Sequence, residues 1–289
     1  MKELLHLSKK SISLQMIFIK FQLFVGDLIG IIWFDIFRIR RQIALANLKL
    51  CFPEWSEAQR IIVARKSVQN LGRSLVEFLR VPFATKEKWC SHFHIHGVEN
   101  LKKAQAQNKG VFLLSAHMGS VDWATVGFSM HGYSMCVISK KFKFKLLNDF
   151  WYNARARWGT EFIEDRGSAL TILRLLKQKK MIAYMLDQFL GPPIGVKTRF
   201  FGHETGTPVG LALLASRSGA PVVPIYTYRD EIGDHHLVLE PEINFEILEN
   251  KEDTLIHMTQ KYCDQIELWV RKRPEQWMWI HRRWKEYKY

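Results

Sequence analysis

Val111-Phe-Leu-Leu-Ser-Ala-His117-Met-Gly-Ser-Val-Asp122-Trp-Ala-Thr125 is the stretch whose reading decides the fold. Val111 to Leu114 is a short, continuous apolar run with the length and branching of a buried strand. From Val121 onward the pattern is helical, with Ser120 placed to cap it. Positions five apart on one straight helix point about 140° away from each other. His117 and Asp122 therefore meet only if His117 lies in the turn before the helix and Asp122 in its first turn. In that arrangement the carboxylate takes one imidazole N–H and leaves the other nitrogen as a base. The competing reading is a polar loop histidine and a helix-start aspartate facing the dipole. A position at the end of a buried strand favours a site, because open α/β sheets place ligands there.

Outward from this stretch, strand and helix patterns alternate. Strands are expected at Ser134 to Ser139, Glu161 to Ile163, Met181 to Leu186, Pro221 to Tyr228 and His236 to Leu239. Helices are expected at Val98 to Gln107, Leu146 to Trp158, Ser168 to Lys179 and Asp253 to Arg273. A further helix is read from Thr207-Pro208, with Pro at its first position, to Gly219. This alternation predicts an α/β fold with a mostly parallel central sheet flanked by helices. Three units are expected: an N-terminal membrane-associated hydrophobic helix over 1–37, a helical segment over 38–91 packing on the core, and an α/β core over 92–289.

The N-terminal helix is apolar nearly all round. Ser13, Lys20, Asp27 and Asp35 form one polar stripe within about 80° on a helical wheel. Such a helix lies in a membrane interface, or spans with the stripe turned toward its own protein. A core helix of a soluble domain is the alternative. Arg38, Arg40 and Arg41 directly after it favour the membrane. Gly26 and Gly30 form a G-x-x-x-G pair too common to carry weight. Ser56-Glu57-Ala58-Gln59 has the form of a capping box.

The 289-residue chain carries 42 Lys and Arg against 28 acidic residues, a net charge of +14 that calls for an anionic partner. Ten tryptophans tilt that partner toward a membrane interface, where indole partitions. No DNA- or RNA-binding motif is present, so no nucleic-acid partner is expected. The four cysteines show no metal or redox spacing, and no signal-peptide cleavage site follows the apolar helix, which suits a reduced, cytoplasm-facing protein. His92, His94 and His96 alternate on one strand face. A zinc site is one reading, but a solvent-facing strand edge is preferred, so no metal is expected.

Four further segments accompany His117 and Asp122: Asn153-Ala-Arg155-Ala-Arg157-Trp-Gly159, Asp187-Gln188, Arg199-Phe-Phe-Gly202, and Pro274-Glu-Gln-Trp277 through His281-Arg282-Arg283-Trp284-Lys285. With Ala46-Asn-Leu-Lys-Leu-Cys-Phe-Pro-Glu54, they make the chain resemble, over nearly its whole length, the late (secondary) acyltransferases of lipid A biosynthesis. These belong to the lysophospholipid acyltransferase superfamily. Many members carry Glu where this chain has Asp122.

The resemblance implies a glycerolipid acyltransferase-like fold and O-acyl transfer at the cytoplasmic face of the inner membrane. The donor it implies is acyl carrier protein and the acceptor a lipid A precursor, with no cofactor. A glycerophospholipid, an aminolipid or another glycolipid is the alternative acceptor, and a catalytically silent scaffold the alternative role. It makes His117 the base and Asp122 its orienting partner. Arg157, then Arg166, then Arg155 are candidates for holding the oxyanion, against a reading as solvated basic residues. Asp187 is expected to orient an arginine, or to form a plain structural ion pair. Arg282, Arg283 and Lys285 beside the tryptophans suit a phosphate-bearing headgroup, against a solvated basic tail. Phe200, Phe201 and the helix after Thr207 are read either as lining an acyl groove or as ordinary core.

Overall fold

A computed structural model describes residues 2–141, 143–165 and 167–285, with side chains described from residue 17 onward except that of Lys88. In chain order the helices are α1 (Lys2–Ile31), α2 (Arg41–Cys51), α3 (Glu57–Arg80), α4 (Lys86–Cys90), α5 (Val98–Gln105), α6 (Val121–Met130), α7 (Lys145–Ala156), α8 (Ala169–Lys177), α9 (Gly210–Ser218) and α10 (Lys251–Lys272). The strands are β1 (Phe93–His96), β2 (Val111–Ser115), β3 (Cys136–Ser139), β4 (Glu161–Glu164), β5 (Met181–Met185), β6 (Gly195–Phe200), β7 (His203–Pro208), β8 (Val222–Arg229) and β9 (His235–Leu239).

Seven strands form one sheet in the order β1-β9-β8-β2-β5-β3-β4, parallel except for the β8–β9 hairpin. The expected α/β fold with a mostly parallel, helix-flanked sheet is therefore the observed one. Parallel strands are covered on both faces, which is why β2 reads as an unbroken apolar run. Phe112 and Leu114 face the cluster that includes Tyr226, Tyr262, Trp269 and Trp277. Val111 and Leu113 face the cluster that includes Trp123, Val126 and Phe128 of α6.

The capping box is present: Gln59 N–H donates to Ser56 Oγ (3.2 Å) and Ser56 N–H to Gln59 Oε1 (2.8 Å). Ser120 stands at the N-cap position of α6, but its hydroxyl makes no capping bond. The helix expected from Thr207-Pro208 begins instead at Gly210, because Thr207 and Pro208 belong to β7, which pairs antiparallel with β6. Phe201 and Gly202 join these strands with φ of 54° and 75°, the two left-handed residues of a tight hairpin.

α1 continues through a π-helical turn over Ile32–Ile36 and lies along α3. The polar stripe faces α3 where its acids are. Arg73 forks onto Asp27 (Nε–Oδ1 2.6 Å, Nη2–Oδ2 2.7 Å) and Arg65 onto Asp35 (2.8 and 3.0 Å). Lys20 is exposed, and the side chain of Ser13 lies outside those described. The G-x-x-x-G pair matters after all. A Cβ on Gly26 would stand 2.4 Å from Arg73 Cα, and one on Gly30 2.3 Å from Gln69 Cα, so only glycine permits this helix crossing. Ile17–Ile36 is long and apolar enough to cross a membrane and is mostly unburied, the inverse of a soluble core helix.

Candidate active site

β2 and β5 are adjacent and parallel, in a register that sets Ser115 beside Met185. Two residues beyond each strand end, His117 and Asp187 emerge side by side. Asp187 Oδ1 accepts from His117 Nδ1 at 2.8 Å, and Oδ2 accepts from His117 N–H at 2.9 Å and from the Trp277 indole N–H at 2.8 Å. The side chain of Asp187 is 2% exposed and that of His117 29%. Burial pushes the Asp187 carboxyl up, but the His117 imidazole and these hydrogen bonds outweigh it and hold the group well below the usual carboxylate range. For His117, burial pushes down, and the Asp187 carboxylate overcomes it, so the imidazole titrates above its ordinary value. With Nδ1–H given to Asp187, Nε2 holds the lone pair and meets the Gln188 amide at 3.3 Å.

The partner expected for that N–H was Asp122. Instead, Asp122 Oδ1 lies 2.9 Å from Arg155 Nη1. Arg155 is 1% exposed, and its guanidinium stacks on Trp151, 3.1 Å from the ring centroid. Desolvation brings the Arg155 guanidinium down to about 10 despite Asp122, and burial raises the Asp122 carboxyl despite Arg155. Asp122 remains in the electrostatic field of His117. Asp187 thus holds the histidine rather than an arginine, and Asp122 holds an arginine rather than the histidine. The strand neighbour reaches the imidazole first, leaving the helix-start carboxylate to face α7.

The remaining expected site residues separate. Arg157 is exposed and donates to Pro82 O at 2.9 Å, away from the dyad. Arg166 lies outside the described residues. Arg282 is exposed, whereas Arg283 is 0% exposed. The Arg283 guanidinium is spent inside the protein, with Nη1 on Gly206 O (2.7 Å) and Gln188 O (3.2 Å) and Nη2 on Thr207 Oγ1 (2.6 Å). A guanidinium fixed this way has no face for a lipid phosphate, which corrects the headgroup reading for this residue.

Much of the C-terminal segment is core, with Arg282 and Lys285 left exposed. Trp277, Trp279 and Trp284 are buried; Phe200 meets Trp277 edge-on and stacks on Trp284, and Phe201 meets Trp279 edge-on, so these buried phenylalanines are core as well. Asn47 of the first signature segment donates to Trp279 O and His281 O, both at 2.8 Å. The strand edge carrying His92, His94 and His96 is held by Asp234, at 2.7 Å from His92 and 2.9 Å from His94, and by His236 at 3.0 Å from His96. Among the described residues, no group of three or more His, Cys, Asp or Glu is arranged to hold a metal ion.

Contacts from segments distant in the chain hold the His117 turn. Met278 N–H donates to His117 O (3.2 Å) and Gly119 N–H to Gln276 O (3.0 Å). Thr227 Oγ1 donates to Met118 O (3.0 Å), and Asn70 Nδ2 reaches Gly119 O (3.3 Å). Gly119 adopts φ +59°, and a Cβ there would strike Thr227 O at 2.7 Å. Trp277 belongs to the C-terminal motif, but its indole contact with Asp187 has no local signature.

Beside this turn, between α6 and the sheet, lies an apolar cleft lined by Ser115, Val121, Ala124, Thr125, Met135 and Val137 among others. Its cavity volume is about 40 Å³, and it opens to solvent on one side. The arrangement offers a part-exposed imidazole base backed by a buried carboxylate, an arginine held nearby by a second carboxylate, and an apolar slot. Those are the parts needed to transfer an acyl group to a hydroxyl.

Residues 12–286 match a family model described as bacterial lipid A biosynthesis acyltransferase. The chain is similar to a lipid A biosynthesis lauroyltransferase of Escherichia coli, at 28% identity over 85% of this chain and 79% of the relative. It is also similar to a lipid A biosynthesis palmitoleoyltransferase of the same organism, at 28% identity over 91% and 84%. A lipid A biosynthesis acyltransferase of Haemophilus influenzae matches at 25% identity over 83% and 74%.

Proposed function

Because the chain belongs to the bacterial lipid A biosynthesis acyltransferase family, and is an acyltransferase of that type, we propose that it transfers a fatty acyl chain from acyl carrier protein to a hydroxyl of a lipid A precursor. The reaction takes place at the cytoplasmic face of the inner membrane, with α1 as the membrane element. The observation that carries the mechanism is the His117 Nδ1–Asp187 Oδ1 bond of 2.8 Å, which leaves Nε2 as the base on the exposed side of the ring.

In this reading the acceptor hydroxyl gives its proton to His117 Nε2 as its oxygen attacks the thioester carbonyl. Asp187 fixes the tautomer and stabilises the imidazolium. The tetrahedral intermediate collapses with loss of the thiolate, which takes the proton back from the imidazolium. Arg155 is the donor for the oxyanion: Asp122 takes its Nη1, and its buried Nη2 has no hydrogen-bond acceptor within the described protein. The acyl tail enters the cleft under α6. Direct attack needs no serine or cysteine nucleophile.

The test is a transfer assay with purified protein in detergent, acyl carrier protein bearing a labelled acyl chain, and a lipid A precursor. Label on the precursor, abolished by His117→Ala in a folded, membrane-bound protein, is expected. Label on a lysophospholipid alone would reassign the acceptor, and full turnover by His117→Ala would refute the base.

A further inference from the structure

β2, β3, β4 and β5 are parallel, so the segments leaving their C-terminal ends share one edge of the sheet. His117 and Asp187 lie on that edge, and so does the segment that leaves β3. Lys140, Lys143 and Lys145 are exposed there, and between them Phe144 is 78% and Leu146 87% exposed. Lys141 pairs with Glu164 at the end of β4, tying this segment to that strand end, and at the start of α8 Leu170 is 80% exposed.

The same edge reaches α1. The β8–β9 hairpin turns there, and a Cβ on its Gly233 would meet Ile19 Cγ2 at 2.8 Å, with the neighbouring Ile232 68% exposed. α3 connects α1 to the His117 turn, through Ser74 and Asn70 on Gly119 O on one side and Gly26 against Gly72 on the other.

We propose that Phe144 and Leu146, with Lys140, Lys143 and Lys145, form a second membrane contact on the far side of the site from α1, seated on anionic lipid. The inference rests on the membrane reading given above and extends it. Large apolar side chains at such exposure are stabilised by leaving water. Lysines interleaved with them are drawn to an anionic surface. An acidic protein would complement the lysines but leave the protruding Phe144 and Leu146 without an apolar phase. Two contacts flanking His117 turn the mouth of the site to the bilayer, where an acceptor lipid reaches it without leaving the membrane.

The test uses the full chain in nanodiscs, with Leu146→Cys in a Cys90→Ser background carrying an environment-sensitive fluorophore. The control label is at Glu249→Cys, an exposed position just before α10, outside the segments proposed to dock. In discs containing phosphatidylglycerol, the label at 146 is expected to shift to the blue. Acyl-chain-brominated lipid should quench it and aqueous iodide should not, with the reverse at 249. Phe144→Cys repeats the reading should Leu146→Cys misfold. Quenching by iodide alone at both positions overturns the proposal, as does a response only to an added acidic protein. Equal lipid quenching in purely zwitterionic discs overturns the assignment to anionic lipid. Acyl transfer measured on the same discs separates the two ideas, since a solvent-exposed label on an active enzyme sinks the docking surface and leaves the catalytic reading intact.

Discussion

Nδ1 of His117 lies 2.8 Å from Oδ1 of Asp187, a residue seventy positions away, while the aspartate five positions away is bound to Arg155. The first prediction follows from this exchange of partners. Asp187→Asn should lower kcat by about 10³–10⁴, as loss of the buried carboxylate behind a catalytic histidine does elsewhere. Asp187 raises the His117 pKa, so the wild-type rate is lost as pH falls through a value above the ordinary 6.5. Without the anion, burial dominates and the acid limb of residual activity moves to lower pH. A kcat/KM–pH profile of both proteins checks the sign.

Asp122 and Arg155 should act as a unit. Asp122→Asn leaves a buried guanidinium without its counterion and should lower stability, by less than the about 3–5 kcal/mol of a fully buried pair because the Asp122 side chain is 28% exposed. Activity should drop more than about tenfold through the displaced arginine. The double variant Asp122→Asn/Arg155→Met should cost less than the sum of the two single changes. Thermal unfolding in detergent, together with turnover, provides the cycle; strict additivity would mean the pair is not coupled.

The adjacent C-terminal arginines should behave oppositely. Arg283→Ala strips a donor from Gln188 O, Gly206 O and Thr207 Oγ1 and empties a closed interior; Gly206 O keeps Leu190 N–H and Thr207 Oγ1 keeps Thr198, so the expected loss is about 1–3 kcal/mol for the group left unsatisfied, plus the lost packing. Arg282→Gln, at an exposed position, should leave the melting temperature unchanged. Parallel melting curves decide this, and equal losses would contradict the burial of Arg283.

If the acyl tail occupies the cleft, Ala124→Phe should shorten it. Ala124 is 3% exposed and lines the slot from α6. The expected result is a selective fall in kcat/KM for long acyl donors with short ones spared, read by competing donors of different length. A uniform fall would place the tail elsewhere.

Gly26→Leu or Gly30→Leu should separate α1 from α3, because the added carbons meet α3 backbone at 2.4 and 2.3 Å. Lower thermal stability and faster proteolysis between α1 and α2 are the expected readouts. Gly132→Ala, where a Cβ meets nothing within 4 Å, tests a glycine with no such crowding; its φ of +91° makes any cost there one of backbone strain alone.

By itself the sequence determined what is local. The apolar run of β2, the turn carrying His117, the start of α6, the capping box of α3 and the α/β alternation all depend on residues a few positions apart, where periodicity and capping chemistry act. The Thr207-Pro208 reading shows the limit. Pro at a helix start and Pro ending a strand look alike locally, and only pairing with Gly195–Phe200 distinguishes them. Tertiary structure alone decided which carboxylate serves His117, because that rests on β5 lying beside β2 in register. It also buried Arg283 and Trp277 and gave the two α1 glycines their purpose. Each of these contacts joins segments distant in the chain, and their partners are set by which surfaces exclude water together, a property of the packed whole.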